Sequence, residues 1–339
     1  MLLYLYLIIF FLGARYPMII DTAYPNPNLP PVDVRSYAVG RFMLPVPKGM
    51  QISGSIFKIN RITILEIPWE NKVDRDSFFD GLWKPVRNKA RAAYKRLEKI
   101  GPATQGGLAE EDISDLCEHK AVLLCYADSM ADHYIDVHVA LPEIVLRFKE
   151  ARFYDIGSEC LNMEGNILKM LKHFRFGGKD VDPDSFFSVS GRFERMKTWY
   201  EQINIGIDNL ENSNIPEMHI EVSAYLDGEP DTPPKSFMAA TGVAKSLGIT
   251  IQFLRSQRRT LAGMDGLEEI FIMSETKNGK VRSELTARWQ YQGAGGDHDK
   301  PAMDIELNCH PNDRDYALRA WDAIMRNFTT VREFYGRRS

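Results

Sequence analysis

The hydrophobic pattern changes its period along the chain, and the changes mark the elements. Leu2 to Leu12 (LLYLYLIIFFL) is an unbroken apolar run closed by Gly13-Ala14. A spanning helix needs about 20 apolar residues, so this run is too short to cross by itself. Its length suits the apolar stretch of an export signal, with Leu12-Gly13-Ala14 as the cleavage site. No Lys or Arg precedes the run. A short uncleaved anchor and a buried N-terminal strand are therefore the alternative readings. Pro25 to Pro31 (PNPNLPP) reads as an extended linker, and folding is expected to begin near Ser36.

Tyr37–Val46 and Ser55–Pro68 alternate or cluster β-favouring residues around Gly49 and Gly54. They predict antiparallel strands. Asp76–Ile100 has the helical period, with Asp76 as its expected cap. Phe79, Trp83, Val86, Ala90, Ala93, Tyr94 and Leu97 share one face, and Lys84, Arg87, Arg91, Lys95 and Lys99 the other. An acidic loop, Glu110–Glu118, leads to three strand-like runs at Ala121–Asp128, Tyr134–Leu141 and Ile144–Phe153. Glu159–Phe174 returns to the helical pattern. Gly177-Gly178 and Asp182-Pro183 punctuate the chain, and the domain boundary is placed there. Beyond it, Met218–Leu226 predicts a strand and Pro233–Leu247 a helix. Ile249–Arg259, Leu267–Thr276, Val281–Tyr291 and Ala302–Cys309 predict four more strands. Asn278-Gly279 is a hairpin signal. Arg314–Phe328 predicts a closing helix with Ala317, Trp321, Ile324, Met325 and Phe328 as its apolar stripe.

The order strand, long helix, antiparallel strands, helix thus recurs, and Gly-Arg-Phe opens both halves, at Gly40–Phe42 and Gly191–Phe193. The expected class is α+β, in two similar domains, each an antiparallel sheet covered by helices. Residues 1–14 are read as the signal or anchor, 15–35 as the linker, 36–180 as the N-terminal domain and 181–339 as the C-terminal one.

Composition narrows the function. Of 339 residues, 26% are charged and 44% hydrophobic, with a net charge of −4. That excludes a disordered chain, a collagen and a polytopic membrane protein. It also offers no global basic field for nucleic acid. The four cysteines, Cys117, Cys125, Cys160 and Cys309, are too few for a disulfide scaffold. They are expected as buried thiols, with at most one bridge in the first half.

The chain has no Gly-x-Ser-x-Gly elbow, P-loop, His-Glu-x-x-His or Cys-x-x-Cys. His133 and His138 share a predicted hairpin, and five residues apart along a strand they would face opposite sides. That argues against a shared metal. Gly295-Gly296-Asp297-His298-Asp299 lacks the ligand spacing of a calcium loop and reads as a hairpin tip. No catalytic residue, metal or cofactor is expected. Were the chain an enzyme, Glu66, Glu268 or Asp136 would supply its acids. The basic residues Lys84, Arg87, Arg91 and Lys95, and the cluster Arg255, Arg258, Arg259, have three readings. They are a solvated surface, a contact to an acidic protein partner, or a contact to anionic headgroups.

Two stretches resemble a known family. Gly40-Arg41-Phe42-Met43-Leu44-Pro45-Val46-Pro47 resembles a "GRF-x-x-x-x-P" entrance. Arg259-Thr260-Leu261-Ala262-Gly263-Met264-Asp265-Gly266-Leu267-Glu268 resembles an "R-x-x-x-G-x-x-G-x-E" strand–turn–strand, and Trp289 and Met303–Leu307 before the closing helix also fit. On these residues the chain resembles the type VI secretion immunity proteins cognate to the class-four lipase effectors, over roughly residues 36 to 330. The resemblance implies a periplasmic protein, with residues 1–14 available for inner-membrane association. Such a protein binds a phospholipase delivered by sibling cells and blocks it without catalysis or cofactor. Both domains would engage one effector. A periplasmic enzyme and a lipid-binding envelope protein are the competing readings. Gly263 and Gly266 are expected to permit positive φ or a tight turn, and Glu268 and Glu269 to serve sheet geometry.

Overall fold

The computed structural model describes residues 24–60, 62–69, 74–99, 108–117, 119–127, 132–142, 144–153, 159–176, 184–194, 196, 198, 200–210, 214–226, 248–277 and 279–336. The first element is the strand β1 (Val34–Val39), followed by β2 (Phe42–Pro47), β3 (Met50–Ile59) and β4 (Ile62–Pro68). The long helix α1 (Arg75–Glu98) precedes β5 (Ala109–Asp112), α2 (Ser114–Cys117), β6 (Ala121–Ala127), β7 (Asp132–Ala140) and β8 (Ile144–Phe153). Then come α3 (Glu159–His173), β9 (Phe174–Phe176), β10 (Phe186–Phe187), β11 (Gly191–Phe193), β12 (Glu201–Asn209) and β13 (Met218–Tyr225). The series ends with β14 (Ile249–Leu261), β15 (Met264–Lys277), β16 (Lys280–Tyr291), β17 (Ala302–Cys309), α4 (Arg314–Asn327), β18 (Thr329–Thr330) and α5 (Val331–Gly336). The class is α+β, with antiparallel pairing at each register described.

The chain divides into two compact units, and they are not consecutive halves. One joins the residues up to Gly54 to those from Gln202 onward, and the other is Ser55–Glu201. The sequence pattern had placed the boundary near Gly177–Asp184 instead. The reason is non-local. The N-terminal hairpin β1–β2 is held by the C-terminal elements: Thr329 and Thr330 pair with Met43 and Phe42. The rings of Phe42 and Phe328 stack at 5.3 Å, and Arg319 donates to the Pro30 carbonyl at 2.6 Å.

In this first unit, β14, β15, β16, β17, β13 and β12 lie side by side in that order. Alternation does the work the sequence predicts: Met303, Ile305, Leu307 and Cys309 of β17 are buried, as are Met218, Ile220, Val222 and Ala224 of β13. The helix α4 packs its predicted stripe inward, with Trp321 and Ile324 wholly buried. In the second unit, β4, β8, β7, β6 and β5 follow one another. Phe57, Ile64, Phe148, Val137 and Leu123 face one another across five strands, and all are buried. The Phe186 ring meets Phe57 edge-on at 6.0 Å. The helix α1 lays Trp83 and Ala90 on Leu124 and Tyr126. Its cap is Asp74, whose carboxylate accepts from the Ser77 N–H, and not Asp76.

Several boundaries differ from the sequence reading. Tyr37–Val46 is two strands, because Gly40 turns at φ +60°. Ser55–Pro68 is broken at Asn60, whose φ is +50°. Strand β1 starts before Ser36: Val34 and Arg35 pair with Pro47 and Val46. Truncation at Ser36 would therefore remove paired strand as well as linker. The Gly-Arg-Phe echo has two different causes. Gly40 supplies a turn, whereas Gly191 sits inside β11, where a Cβ would lie 2.4 Å from the Phe174 ring. The Leu2–Leu12 run and the expected helix Pro233–Leu247 fall outside the described residues. Among the described residues no helix is long and apolar enough to cross a membrane. Cys125 is disulfide-bonded. Cys309 is a free buried thiol whose pKa burial pushes up to about 12.

Candidate functional site

The motif Arg259–Glu268 folds into one cluster. Ala262 and Gly263, at φ +47° and +75°, make the turn between β14 and β15. The turn sets Arg259 and Glu268 side by side, and the Arg259 Nη1 donates to Glu268 Oε1 at 2.8 Å. Arg255 Nη2 reaches the same oxygen at 3.4 Å, and Gln257 donates to the other oxygen. From α4, Trp321 Nε1 donates to Glu268 at 2.6 Å. Asp322 accepts from Arg255 at 3.0 Å and from Arg259 at 3.1 Å. Two guanidinium groups thus meet two carboxylates, and Glu268 is 0% exposed. A buried charge persists only when paired and hydrogen-bonded, and this one is.

Gly266 has a different role from Gly263. A Cβ there would lie 2.3 Å from the Trp289 ring and 2.6 Å from the Gln290 carbonyl. Trp289 is 0% exposed, and its indole N–H donates to the Arg259 carbonyl at 2.9 Å. The glycine is there to let the indole lie on the strand. Glu268 and Glu269 are both buried, which the sequence pattern did not reveal.

The candidate partner-binding residues disperse. Arg255 is 3% exposed and belongs to the cluster above, so its guanidinium faces its own fold. Arg258 is exposed. On α1, Arg87 and Arg91 reach Glu110 of β5 at 2.9 and 3.4 Å. Lys84 lies 3.7 Å from Asp80. Lys95 is exposed, with no ion pair among the described residues. Much of the basic face is therefore balanced by local carboxylates, and such exposed pairs contribute little stability.

The remaining carboxylates are also engaged. Glu66 accepts from the Val189 and Ser190 N–H groups at 3.0 Å each, and burial raises its pKa. Asp136 is held by a two-pronged contact from Arg147, at 2.9 and 2.6 Å. The His138 Nδ1 lies 3.6 Å from Asp136, and its ring meets Trp83 edge-on at 5.2 Å. The loop Gly295–Asp299 is tied down: Asp299 pairs with Arg332 at 2.9 Å. Among the described residues, no group of three His, Cys, Asp or Glu could hold a metal.

His138 gives a pH prediction. Desolvation lowers its pKa to about 4, against the Coulombic pull of Asp136. The folded protein therefore keeps a neutral ring that the unfolded chain protonates below pH 6.5. Stability from this group is complete above pH 6.5 and is lost as pH falls toward 4. The full loss is on the order of 3 kcal/mol. Urea unfolding between pH 7 and 4 should show a steeper fall for the native chain than for His138→Gln. Equal slopes would mean the ring is charged in the fold.

This architecture has solved counterparts. The apo structure of immunity protein TplEi of the type VI secretion system from Pseudomonas aeruginosa matches with a TM-score of 0.58 and 15% identity, over 88% of this chain and 97% of that one. TplEi complexed with "L" peptide matches with a TM-score of 0.57 and 15% identity, over 87% and 97%. The chain has the fold of type VI secretion immunity proteins. A chain of the Tle4–Tli4 complex also matches, at a TM-score of 0.57 and 15% identity over 87% of this chain and 97% of that one. No family model and no curated protein matches the sequence.

Proposed function

We propose that this chain is an immunity protein that binds and neutralises a type VI secreted phospholipase in the periplasm, without catalysis. The observation that carries the reading is the fold shared with TplEi and with a chain of the Tle4–Tli4 complex, nearly end to end. The latter was solved as a two-protein complex, which agrees with a protein that acts by binding a partner. The sequence motifs agree from an independent direction, because the Arg259–Glu268 residues serve the fold they were matched on. Export is supported by the Leu2–Leu12 run and by the disulfide at Cys125, since disulfides persist in oxidising compartments. Residues 1–14 would serve as the signal, or as a short inner-membrane anchor.

The test is co-expression. The cognate lipase, directed to the periplasm, should stop growth, and the exported chain should restore it. The same chain without residues 1–23 should remain in the cytosol and fail to protect. Purified, it should titrate lipase activity to zero at one chain per lipase. Two compact units on one effector gain by effective concentration. Residues 55–201 alone should then bind about 10²-fold more weakly than the whole. Absence of rescue would remove the reading. Ester turnover by the purified chain, above a mock purification, would favour the enzyme alternative.

A further inference from the structure

Strand β16 outruns its neighbour. Strands β15 and β16 stay paired out to Lys277 and Lys280. Strand β17 leaves β16 at the pair Leu285–Cys309, and the chain turns away at His310 into the single turn Pro311–Asp313. Residues Lys280–Glu284 thus have β15 on one side and, among the described residues, no strand on the other.

One hydrogen bond fixes which backbone groups are open. The Thr276 N–H donates to the Gly248 carbonyl at 3.4 Å, so Thr276 directs its backbone groups toward β14. Successive residues of an antiparallel strand point to opposite sides. Glu275 therefore points at β16, and its partner Arg282 points back. Val281 and Ser283 then direct N–H and C=O away from β15, in phase with Leu285, which faces Cys309. No hydrogen bond meets these outward groups among the described residues. Val281 is also 65% exposed, the most open of the large apolar side chains described. An open cavity of about 500 Å³ lies beside the edge, lined by Met273, Glu275, Glu284 and His310 among others.

We propose that this edge receives an extended segment of the effector, added as a strand beside Val281 and Ser283 where β17 has turned away. The inference rests on the reading that the chain binds a secreted lipase. The occupant follows from the chemistry. Outward N–H and C=O groups in strand phase are matched by another extended backbone, whereas a helix has spent its own groups internally. On the face of Arg282, Glu275 and Glu284 are interspersed with Lys277 and Lys280, so charge is nearly balanced there and the open backbone decides what can dock. Val281 and Met273 offer apolar contact to the added strand. Lys280 and Arg282 at the rim discourage unselective pairing, as charges on strand edges do.

Amide exchange on the intact chain tests this, with the lipase that the chain neutralises in the co-expression test as the probe. The Val281 and Ser283 amides should exchange fast in the free protein and at least 10-fold more slowly in the complex. The Arg282 amide, already in the ladder, should be slow in both. Val281→Pro removes one outward N–H and no ladder bond. It should weaken binding at least 10-fold at an unchanged melting temperature, while Val281→Thr binds as the native chain does. If Val281→Pro melts early, the exchange result decides. Binding with unchanged Val281 and Ser283 exchange overturns the strand addition and leaves the immunity reading intact. Failure of the native chain to bind overturns both.

Discussion

Glu268→Ala is expected to destabilise the first unit by about 3–5 kcal/mol, the range for breaking a buried ion pair on one side. The carboxylate is the hub: it accepts from Arg259, Gln257 and Trp321, with Arg255 at 3.4 Å. Its removal leaves two guanidinium groups facing Asp322 alone, and the Trp321 N–H without an acceptor in a wholly buried site. Arg255 already has an unpartnered buried Nε, so it has no spare contact to fall back on. Glu268→Gln separates the two contributions. The amide oxygen can still accept from Trp321, but the charge is gone, and roughly 3 kcal/mol should still be lost. Denaturant unfolding followed by indole fluorescence reads both variants. A loss below 1 kcal/mol for Glu268→Ala would mean that water, not Glu268, satisfies these arginines.

What the sequence disclosed depended on whether the cause was local. Strand β17 and helix α4 were legible because alternation and the helical stripe are properties of a short window. The boundary of the units was not, because it depends on β2 meeting Phe328 and β18 across almost the whole chain. Gly40 and Asn60 break predicted strands through a single positive φ each, which no periodicity records. Strand β12 carries a readable alternation, Ile203, Ile205 and Ile207, all buried. This strand is absent from the elements predicted above. At the candidate site, the motif Arg259–Glu268 pointed to the right place for an incomplete reason. The sequence offered turn geometry for both glycines, and only Gly263 makes a turn. Arg255 was grouped with Arg258 as surface charge. Arg255 and Arg258 lie three residues apart on the unbroken part of β14, so they face opposite sides, Arg255 buried and Arg258 exposed.

Gly266→Ala should be costly for a reason that Gly263→Ala does not share. The added Cβ at Gly266 would sit 2.3 Å from one indole atom of Trp289 and 2.6 Å from the Gln290 carbonyl oxygen. Neither can retreat cheaply. The indole is wholly buried and anchored by its bond to the Arg259 carbonyl, and the Gln290 oxygen belongs to a paired strand. Overpacking of this sort costs about 1–3 kcal/mol, and more when backbone must move. A loss of 3 kcal/mol or more is expected here. Gly263 faces open space, so Gly263→Ala meets only its positive φ, worth about 1–2 kcal/mol. Gly54→Ala, with open space and no positive φ, should be close to neutral. The decisive measurement is a double-mutant cycle with Trp289→Leu. If the indole is what excludes the methyl group, the double variant should lose at least 1 kcal/mol less than the sum of the single losses. Strict additivity would instead assign the penalty to the Gln290 carbonyl, and the requirement for glycine in this motif would be one of strand spacing, independent of the tryptophan.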